Sequence, residues 1–570
     1  MRWSFNSKII LKKTIFLLFL VNFFFAITSC GTSKSLHHKP QLEGYNNTIP
    51  VVKKQSNTLF STGNNSLLKN KQNLWELYLE GDALERGLAF GSLSDSLMKK
   101  QETVFFSKIN DIVSSKFKQK LLRTFLKWYN RKLYLNVTEE YKTEIYGISR
   151  YASHDFDNIA PPYLRSLYLH GAHDIGHALQ DLALVGCSSF AAWGSKSEDG
   201  SLILGRNFDF YAGDNFAKDK IVAFVNPQQG YPFMMVTWAG MIGACSGMNN
   251  EGLTITINAG KSKIPHLAKT PISILTREIL QYAKNIDQAI AIAKKRQVFV
   301  SESIMIGSAN DKKAILIEVS PNNFGVFDVQ NSNQLICSNH FQSENLKNNV
   351  RNKYQITNSH SQYRYDRMVE LFDENPKINP KIASEILRNK EGLNNLPLGY
   401  GNEKALNQMI AHHGIIFKPE QRLVWVSANP YQLGEFVCYD LNKIFNKNKA
   451  KGEIVSLQQK DLNIPKDVFL ETAAYKNYEL FRIEDRKATA FLEAKKEFPL
   501  DFVKKYQSLN PDYWVVYYKV GLSFYQNKQY QLAKEQFEKA VTKEITTLPE
   551  KLEIEEYLKK VERKINHTKS

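Results

Sequence analysis

Val185-Gly186-Cys187-Ser188-Ser189-Phe190-Ala191-Ala192-Trp193-Gly194 and, after it, Leu202-Ile203-Leu204-Gly205-Arg206-Asn207-Phe208-Asp209-Phe210 are the two runs whose reading decides the fold. Both have the length and apolar texture of strands. A thiol stands at the start of the first, and an arginine and an aspartate lie in the second. A hairpin returns the second strand to the mouth of the first, so Arg206 and Asp209 can flank the sulfur of Cys187.

Outward from this pair the texture stays strand-like, with short runs at 221–225, 233–238, 253–257, 314–319 and 423–426 broken by Gly and Asn. Helical spacing interrupts them at 271–294 and 364–373. Strands, then helices, then strands again predict an α+β layered domain over 187–440. Upstream, 97–112 and 118–135 place apolar residues three and four apart, so 74–186 is predicted to be a helical segment. Residues 30–73 are polar and rich in Asn and Ser, the composition of a flexible tether. Downstream, 441–505 reads as a helical connector. In 506–566, Tyr517, Val520, Gly521, Phe524, Ala533, Phe537 and Ala540 sit at tetratricopeptide consensus positions. One such unit buries its face poorly alone, so it either binds a protein partner or leans on neighbouring helices.

The chain has 570 residues, 43% of them hydrophobic, enough for a large core. Its formal charge of +18 is spread along the chain with no Arg-rich block, which argues against nucleic acid; a solvated basic surface is the preferred reading and a weak pull toward anionic lipid the alternative. Arg2, Lys8, Lys12 and Lys13 precede an apolar run over 14–26, too short to span a bilayer. Residues 1–29 therefore read as a signal peptide. Ile27-Thr28-Ser29-Cys30 resembles the bacterial lipobox, which implies a lipid on Cys30 and export as a lipoprotein. Gly31 after it favours an outer membrane, its face open. Of the remaining cysteines, Cys245, Cys337 and Cys438 follow no metal-ligand spacing and read as small buried hydrophobes, although two disulfides are arithmetically open.

The Gly-Cys-Ser-Ser opening and the Gly-Arg-Asn-Phe-Asp run resemble the N-terminal-nucleophile hydrolases. The nearest group is the isopenicillin N acyltransferase-like one, of the C45 peptidase type, with choloylglycine hydrolase, penicillin V acylase and acid ceramidase as cousins. The resemblance runs from about Leu74 to Asp440 and implies a four-layer αββα sandwich. It further implies self-cleavage between Gly186 and Cys187. Cleavage frees the α-amine of Cys187, whose ordinary pKa of about 7.7–8.0 suits it to act as the base for its own thiol. The stretch 238–253 resembles the family's second hairpin, with Asn249-Asn250-Glu251-Gly252 as its turn. Asn258 then matches an oxyanion-hole asparagine and Asn339, in Ser338-Asn339-His340-Phe341, a second one. Arg364 matches an arginine that reaches the nucleophile, with Tyr363 standing where the cousins carry serine.

The expected function is cleavage or transfer of the acyl group of a linear amide, an N-acyl amino acid, N-acyl lipid or conjugated acid, through a thioester on Cys187. Hydrolysis and acyl transfer both stand. No cofactor and no metal are called for. His170, His173 and His177, with Asp174, share a helical face and read either as a polar packing face or as a zinc site, the former preferred. The rival from another class is a non-catalytic lipid-anchored scaffold that binds a protein through its helical tail.

Overall fold

The computed structural model describes residues 31–112, 115–171, 174, 186–261, 267–446 and 453–569. Two sheets organise it. The larger begins with β1 (Lys53–Lys54), β2 (Leu59–Thr62), β3 (Asn65–Lys69) and β4 (Trp75–Gly81). The hairpin pair β5 (Ser188–Ala192) and β6 (Ile203–Phe208) belongs to the smaller sheet. The chain then returns to the larger with β7 (Ile221–Pro227), β8 (Phe233–Thr237), β9 (Ser246–Asn249), β10 (Leu253–Ala259), β11 (Glu302–Ser308), β12 (Lys313–Val319) and β13 (Phe324–Phe327). Last come β14 (Gln334–Cys337), β15 (His413–Lys418), β16 (Leu423–Ser427) and β17 (Phe436–Asp440). The eleven-stranded order is β1-β2-β3-β4-β7-β8-β9-β10-β11-β12-β13, and the six-stranded order is β14-β5-β6-β15-β16-β17.

Strands such as Ile221–Pro227 and Lys313–Val319 are apolar nearly throughout because both their faces are covered. One core joins the two sheets, with Leu204 and Ile415 of the smaller meeting Val222 and Met305 of the larger. A second core packs the other face of the larger sheet on helices that include Ala83–Leu93, Glu139–Ser149 and Ile272–Tyr282. A third packs the smaller sheet on Ser361–Glu374 and Pro380–Leu387. Helices Ala83–Leu93 and Glu139–Ser149 touch backbone to backbone. A Cβ on Gly87 would lie 2.2 Å from the Glu144 carbonyl oxygen, so only glycine fits there. The same contact buries Arg86 against Glu144 at 2.7 Å.

Three sequence expectations change. The 30–73 tether instead carries β2 and β3, joined through Gly63 at φ 54 and paired in register from Leu59↔Leu68 to Thr62↔Asn65. The helical segment 74–186 opens with a strand, β4, that pairs in parallel with β7, so it completes the larger sheet. The connector 441–505 stays irregular through most of 453–472, bridging to the edge strand at Tyr439↔Gln458 and Phe436↔Ile464, before the helix Ala473–Glu493 begins. Beyond it lie Leu500–Leu509, Trp514–Gln526, Tyr530–Val541 and Leu548–Lys569. Trp514–Gln526 and Tyr530–Val541 pack closely where Gly521 faces Phe537, a Cβ on Gly521 falling 2.6 Å from the ring. Cys30 and the leader lie outside the described residues, as do His173 and His177. Among the described residues no helix is long and apolar enough to cross a membrane.

Candidate active site

The hairpin β5–β6 sets the site. Its register pairs Ser188↔Asn207 and Ser189↔Arg206, which brings Arg206 across from the residues that follow Cys187. The thiol of Cys187 is buried, and Arg206 Nη2 donates to its sulfur at 3.6 Å. The same guanidinium donates to Ser246 Oγ at 2.6 Å and to the carbonyls of Cys245, at 3.3 Å, and Ile257. It also lies over the Phe208 ring at 4.2 Å. Held on so many sides, Arg206 is a fixed positive charge beside the sulfur.

Arg364, fully buried on the helix Ser361–Glu374, approaches from the other side. Its Nη1 donates to the Cys187 carbonyl at 2.6 Å and to Ser188 Oγ at 2.8 Å. Its Nη2 donates to Asn339 Oδ1 at 2.7 Å, and Asn339 Nδ2 in turn donates to the Ala259 carbonyl at 3.0 Å. Arg367, one turn on, pairs instead with Glu370, Asn389 and Asn395. Asn258 accepts from Ser189 Oγ at 2.7 Å and donates to the carbonyls of Cys337 and Ser338 at 3.3 Å each. Its amide thus ties β10 to the end of β14 and the residue after it.

Asp209 is the electrostatic anomaly. It is buried, and among the described residues neither carboxylate oxygen has a hydrogen-bond partner. Burial pushes its carboxyl up to about 7, against the pull of Arg364 and Arg206. Burial likewise pushes the Cys187 thiol up to about 11, with Arg206 pulling down and Asp209 pushing further up. Burial brings Arg364 down to about 10. With its amine still in a peptide bond, the thiol is therefore held protonated.

Several residues at the site carried no assignable signal in the sequence. Gln408 Nε2 donates to the Gly186 carbonyl at 2.7 Å. His413 Nε2 meets Ser246 Oγ at 2.9 Å and His412 meets His413 at 2.9 Å, which extends the polar chain from Arg206 inward. Burial holds both imidazoles well below the ordinary histidine range, so both are neutral. The His412-His413 pair is visible in the sequence, but its link to Arg206 exists only through Ser246. His170 lies elsewhere and is occupied structurally, by the Ser166 carbonyl at 2.7 Å and the Ile242 N–H at 2.9 Å. Asp174 caps the helix Ile272–Tyr282 by accepting from Ile272 N–H at 2.7 Å. Among the described residues, Cys187, Cys245, Cys337 and Cys438 are buried and form no disulfide.

The family model of acyl-coenzyme A:6-aminopenicillanic acid acyl-transferase matches residues 195–429, a span that holds Arg206, Asp209, Asn258, Asn339, Arg364 and Gln408 and starts beyond Cys187. Residues 195–429 are thus similar to that acyl-transferase family. Among curated proteins, an uncharacterized protein of Archaeoglobus fulgidus is 26% identical over 271 residues, 44% of each chain. Protein dcd1B of Dictyostelium discoideum is 23% identical over 305 residues, 49% of this chain and 57% of its own. The chain thus spans about half the length of the curated relatives it matches. A solved Caenorhabditis elegans ortholog of N-acylethanolamine-hydrolyzing acid amidase is 16% identical, with a TM-score of 0.31 over 41% of this chain and 93% of that one. A mutant conjugated bile acid hydrolase from Clostridium perfringens is 15% identical, with a TM-score of 0.32 over 47% and 95%.

Proposed function

We propose that this N-terminal-nucleophile-hydrolase-like chain is a cysteine amidase or acyltransferase that cuts itself between Gly186 and Cys187 and then works through a thioester on Cys187. The observation that carries the reading is the buried carboxylate of Asp209, without a hydrogen-bond partner among the described residues, beside a nucleophile already gripped by Arg206 and Arg364. A buried carboxylate without partners is costly. Release of the Cys187 α-amine would supply a cationic donor in that neighbourhood and, by removing a peptide bond, a base for the thiol. Arg206 stays beside the sulfur, Arg364 fixes the nucleophile's backbone, and Asn339, oriented by Arg364, is one oxyanion donor. Asn258 would be the other once its present carbonyl contacts loosen. The substrate is an N-acyl amide whose acyl group passes to water or to another amine. The four-layer αββα arrangement and a tetratricopeptide-type tail belong to the same reading.

We also propose that the protein is exported and held at a membrane by a lipid on Cys30. Two features support this. A Cβ on Gly31, the next residue, would lie 3.6 Å from Arg131, just past the helix Lys116–Tyr129. That helix leaves Phe117, Leu121 and Phe125 exposed four residues apart, among Lys118, Lys120 and Arg123. An apolar stripe with a basic rim suits an anionic bilayer surface.

The test of the enzymatic reading is intact-mass and N-terminal analysis of the wild-type chain beside Cys187→Ala. The expected result is a new N-terminus at Cys187 in the wild type alone, followed by release of acid from N-acyl amides. An uncut wild-type chain without amidase activity sinks the proposal.

A further inference from the structure

We infer that Gln408 is the residue that polarises the Gly186 carbonyl for self-cleavage, and that the C-terminal helices hold it there. This rests on the self-cleavage just proposed and adds the electrophilic partner that reaction lacks. In the reaction the Cys187 sulfur adds to the Gly186 carbonyl carbon as the thiol proton passes to a base. The adduct collapses, the C–N bond to Cys187 breaks and the nitrogen takes up a proton. Water then hydrolyses the thioester to the Gly186 carboxylate and a free thiol. Negative charge builds on the Gly186 carbonyl oxygen in the first step. That oxygen needs a fixed donor, placed before the reaction begins.

Gln408 is that donor. Its Nε2 stands 2.7 Å from the Gly186 oxygen, and the side chain is buried, so no water competes for the contact. The approach is tight enough to dictate the residue at 186. A Cβ there would fall 2.3 Å from Gln408 Nε2, so any other side chain would drive the amide away. The glycine before the nucleophile is thus explained by a particular neighbour.

The position of Gln408 is set from both sides. Asn207, on β6 between Arg206 and Phe208, donates to the Leu406 carbonyl at 2.9 Å, tying this segment to the nucleophile's hairpin. On the other side Met409 belongs to the core of the C-terminal helices, with Phe469, Tyr478 and Phe481. Met409 takes φ 54, a left-handed conformation that a non-glycine residue keeps only when its surroundings impose it. Just upstream, Asn402 donates to the Glu544 carbonyl at 2.9 Å, Thr546 donates to Asn402 at 3.1 Å, and Asn510 exchanges two bonds with Tyr400. The tail therefore clamps the segment that presents the amide, and it acts on maturation through that clamp.

The experiment compares self-cleavage of the full chain, followed by intact mass, in wild type, Gln408→Glu and Gly186→Ala. At neutral pH both variants should cut on the order of 100-fold more slowly than wild type, the loss typical for one oxyanion donor. A protonated carboxyl can donate where a carboxylate cannot, so the Gln408→Glu rate relative to wild type should climb as pH falls. A structural role alone would leave that ratio flat, and a flat ratio or wild-type speed overturns the assignment. Gln408→Met, similar in length and without a donor, replaces Gln408→Glu if near-ultraviolet circular dichroism shows the latter unfolded. A folded Gln408→Met that cuts at the wild-type rate also overturns it. Asn402→Ala, which loosens the clamp without touching the site, should slow cutting less than loss of the amide. Equal rates for Asn402→Ala and wild type overturn the part assigned to the tail. A wild-type chain that never cuts fails the underlying reading instead.

Discussion

Asp209 keeps a carboxyl where a folded protein gains nothing by it, which makes its effect on stability measurable apart from activity. Its ordinary pKa is near 4, and in the folded chain burial raises it to about 7. Between these values the unfolded chain has lost the proton that the folded chain still holds, so stability falls as pH rises from about 4 to about 7. Above that range the whole penalty is present. In a Cys187→Ala background, where the chain stays in one piece, Asp209→Asn should therefore melt higher than its parent at pH 8. The gain should be on the order of 4 kcal/mol, and the two curves should converge near pH 4. Parallel melting curves across that range would show that Asp209 is already compensated. With Cys187 intact, the same substitution should abolish amidase turnover, a stabilising change that removes function. Arg364→Lys should cost about 10- to 100-fold in kcat, because one ammonium cannot hold both the Cys187 carbonyl and Asn339. Steady-state kinetics on any hydrolysed N-acyl amide checks this, and an unchanged kcat refutes it.

Elements were legible in the sequence where their cause was local. The β5–β6 hairpin declares itself because the strands are close in sequence and Arg206 and Asp209 recur at fixed steps from Cys187. The β2–β3 hairpin reads as tether, because the Asn- and Ser-rich composition of 30–73 outweighs the two-residue turn Gly63-Asn64 that joins its strands. The strand character of Trp75–Gly81 comes from pairing with Ile221–Pro227, far along the chain, and no nearby residue announces it. Gln408 is a further case, bonded to a residue 222 positions away. Within the legible hairpin, Gly205 is the point of closest approach. A Cβ there would lie 2.3 Å from the Phe190 ring, itself backed by Phe372 at 5.3 Å. Gly205→Ala should cost about 1–3 kcal/mol, the usual range for overpacking, and slow self-cleavage by shifting the Ser189↔Arg206 register. Thermal melting with intact-mass analysis measures both, and an unshifted melt would mean that the ring can yield.

At the scale of the whole molecule, charge and shape point one way. The chain carries +18, and the face nearest its described N-terminus combines basic side chains with three exposed apolar ones. Beside a lipid on Cys30, a basic, partly apolar surface would add a further contact with the bilayer. Phe117, Leu121 and Phe125, at 70%, 55% and 42% exposure, present apolar surface to the headgroup region. The full chain should therefore bind vesicles containing phosphatidylglycerol more tightly than neutral phosphatidylcholine vesicles, and the difference should shrink as salt rises, since the Debye length falls to about 3 Å at 1 M. Leu121→Asp with Phe125→Asp should weaken binding to both vesicle types and leave turnover of a soluble amide unchanged, because neither residue touches Cys187, Arg206 or Arg364. Hydrogen exchange over 116–129, with and without vesicles, separates this helix from any contribution of the leader. Protection there with anionic vesicles supports the membrane-facing surface, and equal exchange with both vesicle types overturns it.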